Sequence, residues 1–345
     1  MRGLLSFALL AAACSANSST GLSDGGAGGA AEGGAGGAGG VGAGVPGRIT
    51  YSVDSEVFRI EAVPGATPEN VSEALSRFGS GGDTWLMPSR SGEHLVVVTS
   101  KTACANGACL AVTDEAFSFL ATVTPAGNEV SVRGAPAITN AGDTVVYPGT
   151  GGPHEVDLFL TTKSDDAWSD PVLLTGDSTF PFNNTAALSF DETRVLFECG
   201  FDPYPDGPAP ESEGTAACEV KLDGSGFRVV VDSMALPNPG AVFLQFPHDS
   251  LDGVVFQGSW PIDGESTQSI WLLPPDGEPQ PAAPSLGRAV SPCGLGNGRF
   301  GALWLDSPDN LDGRRELTLL ERDGTVAGVL TPGVSVYGVA IGCSD

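Results

Sequence analysis

Apolar residues along this chain come in short runs broken by polar turns, and the runs repeat. Six share one shape, a few aliphatic or β-branched residues, most ending in a large or aromatic one: Ile49-Thr50-Tyr51, Leu95-Val96-Val97, Val145-Val146-Tyr147, Val195-Leu196-Phe197, Val254-Val255-Phe256 and Ala302-Leu303-Trp304. Their last positions are 46, 50, 50, 59 and 48 residues apart. A second run follows each of them, as in Val57-Phe58-Arg59-Ile60, Asp157-Leu158-Phe159-Leu160 and Ile270-Trp271-Leu272-Leu273. Polar turns such as Asp223-Gly224-Ser225-Gly226 then lead into a further run, Pro171-Val172-Leu173-Leu174-Thr175 or Arg228-Val229-Val230-Val231. Ahead of the first run sit tight-turn sequences, Ser89-Arg90-Ser91-Gly92-Glu93, Thr139-Asn140-Ala141-Gly142-Asp143 and Ser189-Phe190-Asp191-Glu192-Thr193. Runs this short, rich in β-branched and aromatic residues and bounded by turn formers, are strands.

Four strands per unit and a period near 50 predict an array of antiparallel sheets, which in one domain means an all-β propeller. The chain enters on Ile49-Thr50-Tyr51, a second strand with no first strand before it. It leaves on residues 336–343, a first strand with no second strand after it. Together they complete one blade, so six four-stranded blades are expected, the ring closed by the C-terminal strand joining the N-terminal blade. One segment reads two ways: Thr67-Pro68-Glu69, with Gly79 as a stop, is either a helix start or the outer strand of the first blade with its loop.

The order of a Ser or Thr, a turn with Asp or Gly, then Val-Val-aromatic resembles the repeats of TolB-like β-propellers. Residues 137–171 match over a whole blade, residues 187–197 and 87–97 carry further copies, and blades five and six are poorer. Leu251-Asp252-Gly253 keeps a turn after an insertion, and Gly294-Leu295-Gly296-Asn297-Gly298 replaces the motif with glycines. The resemblance spans residues 48–345 and concerns fold far more than activity. Peptidases built on such propellers add a hydrolase domain, for which no sequence remains here.

Residues before the repeats have another task. Met1-Arg2-Gly3 carries one positive charge, residues 4–13 are almost wholly apolar, and small residues lead into Cys14. An apolar run that short does not span a bilayer, which takes about 20 residues, and it reads as a secretion signal. Leu10-Ala11-Ala12-Ala13-Cys14 resembles a bacterial lipoprotein signal, with Ala11 where the family usually has Leu. The resemblance implies residues 1–14 as the signal ending at a lipidated Cys14, with Ser15 suiting an outer-membrane destination. The alternative is an ordinary secretory signal cut near Ala13. Residues 15–46, nearly all Gly, Ala and Ser, cannot build a core and are expected to be a disordered tether to the propeller at 47–345.

Seven cysteines is an odd number for an exported protein. Lipidation of Cys14 leaves six, and an oxidising compartment favours disulfides. Cys104 and Cys109 bracket a hairpin turn, and Cys199 and Cys218 fall at the same place in their repeat, the loop between second and third strands. Cys293 and Cys343 both follow runs that fit a first strand, so a third bridge is expected between the last blade and the closing one.

The net charge of −26 argues against nucleic acid and anionic lipid as partners. Three histidines, His94, His154 and His248, fall in three blades and read as loop residues, and no Gly-x-Ser-x-Gly elbow occurs. The loop with Asp306, Asp309 and Asp312 concentrates oxygen ligands of the kind calcium uses but departs from the EF-hand spacing, as does Asp202-Pro203-Tyr204-Pro205-Asp206. Residues 201–217, rich in Pro, Glu and Gly, are the most distinctive loop. The expected protein is a monomeric, lipid-anchored propeller of the cell envelope. Its face binds an envelope protein or other ligand, with no catalytic residues and no cofactor beyond weakly indicated calcium. The alternative is a propeller hydrolase or lyase acting on a sugar or lactone through paired carboxylates.

Overall fold

The computed structural model describes residues 47–102, 109–123, 131–200, 215–233, 243–262, 265–305, 315–332, 336 and 340–345. Six antiparallel sheets follow one another along the chain. Each blade is counted by its second strand: Arg48–Val53, His94–Thr99, Thr144–Thr150, Arg194–Gly200, Gly253–Ile262 and Phe300–Trp304 in blades 1 to 6. Third strands lie beside them, from Glu56–Glu61 in blade 1 to Glu316–Leu320 in blade 6. In blade 1 the sheet order is Gly342–Ser344, Arg48–Val53, Glu56–Glu61, Glu69–Asn70. Arg48 pairs with Ser344 and Ile49 with Cys343, so the last strand of the chain is the first strand of its first blade. Six four-stranded blades in a closed ring form a six-bladed β-propeller.

Double-sided burial explains why the repeated runs are continuous instead of alternating. Val145 packs in one cluster with Met87, Val96 and Val112 of blade 2, whereas Val146 packs in another with Val195 and Phe197 of blade 4. Successive side chains of a strand point to opposite faces, and here both faces meet a neighbouring blade. The large residues ending these runs pair across strands, Tyr51 with Phe58 at 5.6 Å and Tyr147 with Phe159 at 6.0 Å between ring centroids. Tyr147, Phe197 and Phe256 are fully buried, each contributing about 1.5–3 kcal/mol by leaving water.

Outer edges are short or interrupted, which discourages a further strand from pairing there. Glu69–Asn70, Ala121–Thr122 and Gln280–Pro281 hold two residues each. The longer Arg228–Asp232 and Val326–Val329 both carry a register shift against their partner strand.

Both readings of residues 67–79 hold in part. Glu69–Asn70 is the outer strand of blade 1, and it leads directly into a helix at Val71–Leu75 and a 3-10 turn at Ser76–Phe78. The N-cap is Asn70, whose side chain accepts from the Glu73 N–H, and not the expected Thr67, because pairing with Phe58 keeps Asn70 extended. Gly79 ends the segment as expected. Among the described residues no helix is long and apolar enough to cross a membrane.

Two bridges join cysteines that both lie among the described residues, Cys199–Cys218 and Cys293–Cys343. Cys199 lies near the end of Arg194–Gly200 and Cys218 near the start of Ala216–Lys221; Cys199 faces Ala216 and Phe197 faces Cys218, so the bond runs diagonally across the ladder. Cys293, in Ala289–Gly294, ties blade 6 to the closing strand. Cys109 is disulfide-bonded, and Cys104 lies outside the described residues, as do Cys14 and residues 1–46.

Candidate functional site

The repeated turn between first and second strands has one geometry. In blades 2, 3 and 4 the Ser89, Thr139 and Ser189 N–H groups donate to His94, Thr144 and Arg194 carbonyls, and the fourth turn residue donates back. That fourth residue needs a positive φ, supplied by Gly92 at +74° and Gly142 at +70°. Blade 6 closes a turn one residue shorter, the Leu295 N–H donating to the Arg299 carbonyl and Gly298, at φ +85°, donating back to Leu295. Blade 4 departs: Glu192 occupies the position at φ 54°.

These turns lock blade to blade. Ser91 N–H donates to Asn140 Oδ1 at 2.6 Å, Asn140 N–H to Glu192 Oε1 at 2.6 Å, and Phe190 N–H to Asp249 Oδ2 at 2.9 Å. Arg322 reaches Asp252 at 2.7 Å, the Gly296 N–H meets the Asp345 carboxylate, and Asp345 N–H donates to the Arg90 carbonyl at 2.8 Å. The sequence of contacts passes through all six blades and returns to its start.

Inside this ring is a small funnel, open to solvent. Its wall comes from the ends of the innermost strands: Met87 and Pro88 from blade 2, Ile138 from blade 3, Ala186 and Leu188 from blade 4, His248 and Asp249 from blade 5, Gly294 from blade 6 and Cys343 from blade 1. The axis beyond is filled. Phe246 of blade 5 belongs to one packed cluster with Met87 of blade 2, Ala135 and Ile138 of blade 3, and Ala340. Blades 2 and 5 stand opposite in a six-membered ring, so those side chains meet across the axis.

A backbone device aims them. Innermost strands in blades 2, 4, 5 and 6 each carry a register shift, between Thr84 and Met87, Asn184 and Ala187, Gln245 and His248, and Val290 and Cys293. Each shift holds one non-glycine residue at positive φ: Trp85 at 48°, Thr185 at 56°, Phe246 at 52° and Ser291 at 51°. Such a residue costs about 1–3 kcal/mol and persists only where its surroundings over-determine it.

Charged groups at the rim are partly engaged. The Arg90 guanidinium bonds Asp345 and, at 3.1 Å, the Gly294 carbonyl, and it lies 3.5 Å from the Phe190 ring centroid across the mouth. Burial lowers its pKa, with Asp345 opposing. Burial pushes His248 down to about 4, helped by the Arg90 charge, so the ring is neutral near pH 7. Burial also raises the Asp249 carboxyl. Asp191, hydrogen-bonded by Ser189 and Thr193, is lowered to about 2.

The expected site residues are distributed differently. Cys343 lines the funnel, bonded to Cys293, whereas Cys199 and Cys218 sit in blade 4. His248 is in the strand Phe243–Ser250 and not in a loop, its side chain aimed at the axis by the neighbouring bulge. His94 opens a strand and contacts the Asn140 carbonyl at 3.0 Å, and His154 bonds the buried Asp157 at 2.7 Å, so the three histidines do not converge. Asp306, Asp309 and Asp312 lie outside the described residues, as do residues 202–206. Among the described residues no group of three or more His, Cys, Asp or Glu could hold a metal ion. Arg90, Phe190, Asp249 and Asp345 were not singled out from sequence. A signal existed: they sit at or beside the turn of each repeat, where Glu192 replaces an expected glycine.

No protein-family model matches the chain, and no curated protein matches it by sequence. Solved structures do. The chain is similar to TolB from Acinetobacter baumannii, at 12% identity and TM-score 0.56 over 87% of this chain and 67% of that one. It is similar to a putative TolB from Agrobacterium tumefaciens, at 13% identity and TM-score 0.52 over 86% and 95%. Hydrazine synthase from Kuenenia stuttgartiensis also matches, at 10% identity and TM-score 0.57 over 83% and 45%. At these identities the similarity concerns architecture alone, and it agrees with the sheet order: the fold is that of a TolB-like six-bladed β-propeller.

Proposed function

We propose that this protein is a non-catalytic binding module of the bacterial cell envelope that takes its ligand at the funnel on the turn face. In this reading lipid on Cys14 anchors it, toward the outer membrane, and residues 15–46 hold the propeller off the surface. One observation carries the proposal: six blades converge on one solvent-open cavity whose lining includes Arg90, Glu192, His248 and Asp249, and a concave site with convergent polar groups is the usual place for a ligand.

Crosslinking capture from envelope fractions tests the reading with three chains: wild type, His248→Trp to fill the funnel, and a chain with residues 201–214 replaced by a Gly-Ser linker. Loss of the crosslinked species in His248→Trp alone, with the urea midpoint unchanged, is expected. Equal capture by wild type and His248→Trp, or loss confined to the loop replacement, overturns it. The anchor is tested separately by palmitate labelling, which should vanish in Cys14→Ser.

A further inference from the structure

One side chain lies across the funnel mouth without taking part in the circuit that locks the blades. The circuit passes through Arg90 at its backbone, where the carbonyl accepts the Asp345 N–H at 2.8 Å. The guanidinium goes elsewhere. From the turn of blade 2, Nη1 donates to the Gly294 carbonyl of blade 6 at 3.1 Å, and Nε donates to the Asp345 carboxylate beside the closing strand of blade 1. Its Cζ lies 3.5 Å from the centroid of the Phe190 ring in blade 4. Blades 2, 4 and 6 alternate around a six-membered ring, so a group touching all three stands over the axis. Beyond the funnel that axis is filled by the cluster around Phe246, so among the described residues the mouth is the way in.

The cradle that holds the guanidinium is fixed without it. Asp345 is held by the Gly296 N–H and by its own N–H, and Phe190 by its N–H on Asp249 Oδ2 at 2.9 Å. Carboxylate, carbonyl and aromatic face are the groups that a planar guanidinium recognises. The arm that reaches them is a chain of rotatable bonds, its side chain 18% exposed while it lies there. We propose, resting on the binding reading above, that Arg90 is a strap that closes the funnel in this state, and that a ligand enters only after the guanidinium has left Asp345 and Phe190. The contact is autoinhibitory: the affinity observed for any funnel ligand is reduced by the fraction of molecules in which the strap is open. One of its holds is an ion pair at the solvent boundary, so salt favours the open state.

Thiol accessibility tests the strap without a ligand, using the neutral reagent N-ethylmaleimide on a Cys14→Ser chain whose native bridges stay oxidised. Reporters are Leu188→Cys in blade 4 and His248→Cys in blade 5, both at half-buried positions in the funnel wall, and either decides the test if the other does not fold. A control, Ala62→Cys, lies fully buried in the cluster joining blades 1 and 6 and reads opening of the ring itself. Arg90→Ala should speed labelling at both funnel reporters at least about tenfold and leave Ala62→Cys unchanged. Asp345→Asn, which removes the ion pair but keeps an acceptor for the Gly296 N–H, should speed it less. Raising sodium chloride from about 0.1 M to about 1 M should speed labelling with Arg90 present and not in Arg90→Ala. Unchanged labelling in Arg90→Ala, or labelling insensitive to salt with Arg90 present, overturns the proposal. Equal acceleration at Ala62→Cys overturns it in favour of a tie between blades. If labelling behaves as expected but His248→Trp leaves crosslinked capture unchanged, the strap stands and the binding-module reading falls. If labelling fails while capture is lost in His248→Trp, only the strap falls.

Discussion

The two ends of the ring are built on opposite rules. On the turn face, first and second strands of blades 2 to 6 are joined by short turns, of one geometry in blades 2, 3 and 4, and six blade-to-blade contacts close a circuit around the funnel. On the other face, second and third strands are joined by connections that range from residues 54–55 in blade 1 to residues 201–215 in blade 4. A disulfide serves each end: Cys293–Cys343 joins two blades beside the funnel, and Cys199–Cys218 ties two strands of one blade below its long connection. The contrast teaches where a propeller can hold a preorganised site. Turns that also lock neighbouring blades stay short, from two residues in blade 5 to four in blade 2, so differences there lie in single residues such as His248 and Glu192.

The bridges give the largest test of that contrast. Replacing Cys293 and Cys343 together by Ser opens a loop of separation 50, against 19 for Cys199 and Cys218. Chain entropy alone predicts losses of about 4 and about 3 kcal/mol. Urea unfolding of the two double variants should therefore rank the closure bridge first; the reverse order would move the weak point to the loop face. Phe246→Ala, which empties the axis beneath the funnel, should cost about 3–4 kcal/mol by the same measurement. Near-neutrality would mean that the axis is not packed.

A third test concerns pH. The folded His248 pKa, about 4, lies below its unfolded value near 6.5. The unfolded chain therefore binds the extra proton first, and stability falls as pH drops from about 6.5 toward 4, by about 2 kcal/mol for this half-buried ring. Asp249, raised by burial, acts in the opposite direction as its carboxyl takes up a proton. Subtracting the profile of His248→Gln from that of wild type isolates the histidine, and parallel profiles would refute the depressed value. The smallest effect belongs to the exposed Arg322–Asp252 pair. Arg322→Ala should leave the urea midpoint within error despite its place in the circuit, since surface ion pairs contribute little.

Much of the scaffold was legible because both faces of every blade are buried. That condition forces continuous β-branched runs such as Val145-Val146 and aromatic ends such as Tyr147, and it repeats with each blade. The bridge between Cys293 and Cys343 was legible from topology, since a chain that starts on a second strand and stops on a first strand must bring its ends together. The diagonal offset of Cys199 and Cys218 across their ladder was not, because register is decided by pairing with residues about twenty positions away. The site was hardest to see. His248 reads as one polar residue between Pro247 and Asp249, and only the bulge at Phe246 turns it toward the axis.

Sequence alone, then, determined the period, the strand order, six blades and closure by the C-terminal strand, because hydrophobic spacing and turn chemistry are local and recur in each copy. Tertiary structure alone decided that Arg90, His248 and Asp249, from blades 2 and 5, line one cavity. Residues well over a hundred positions apart meet only when the ring closes, and a bulge that re-aims one side chain leaves almost no mark on the pattern of apolar and polar positions.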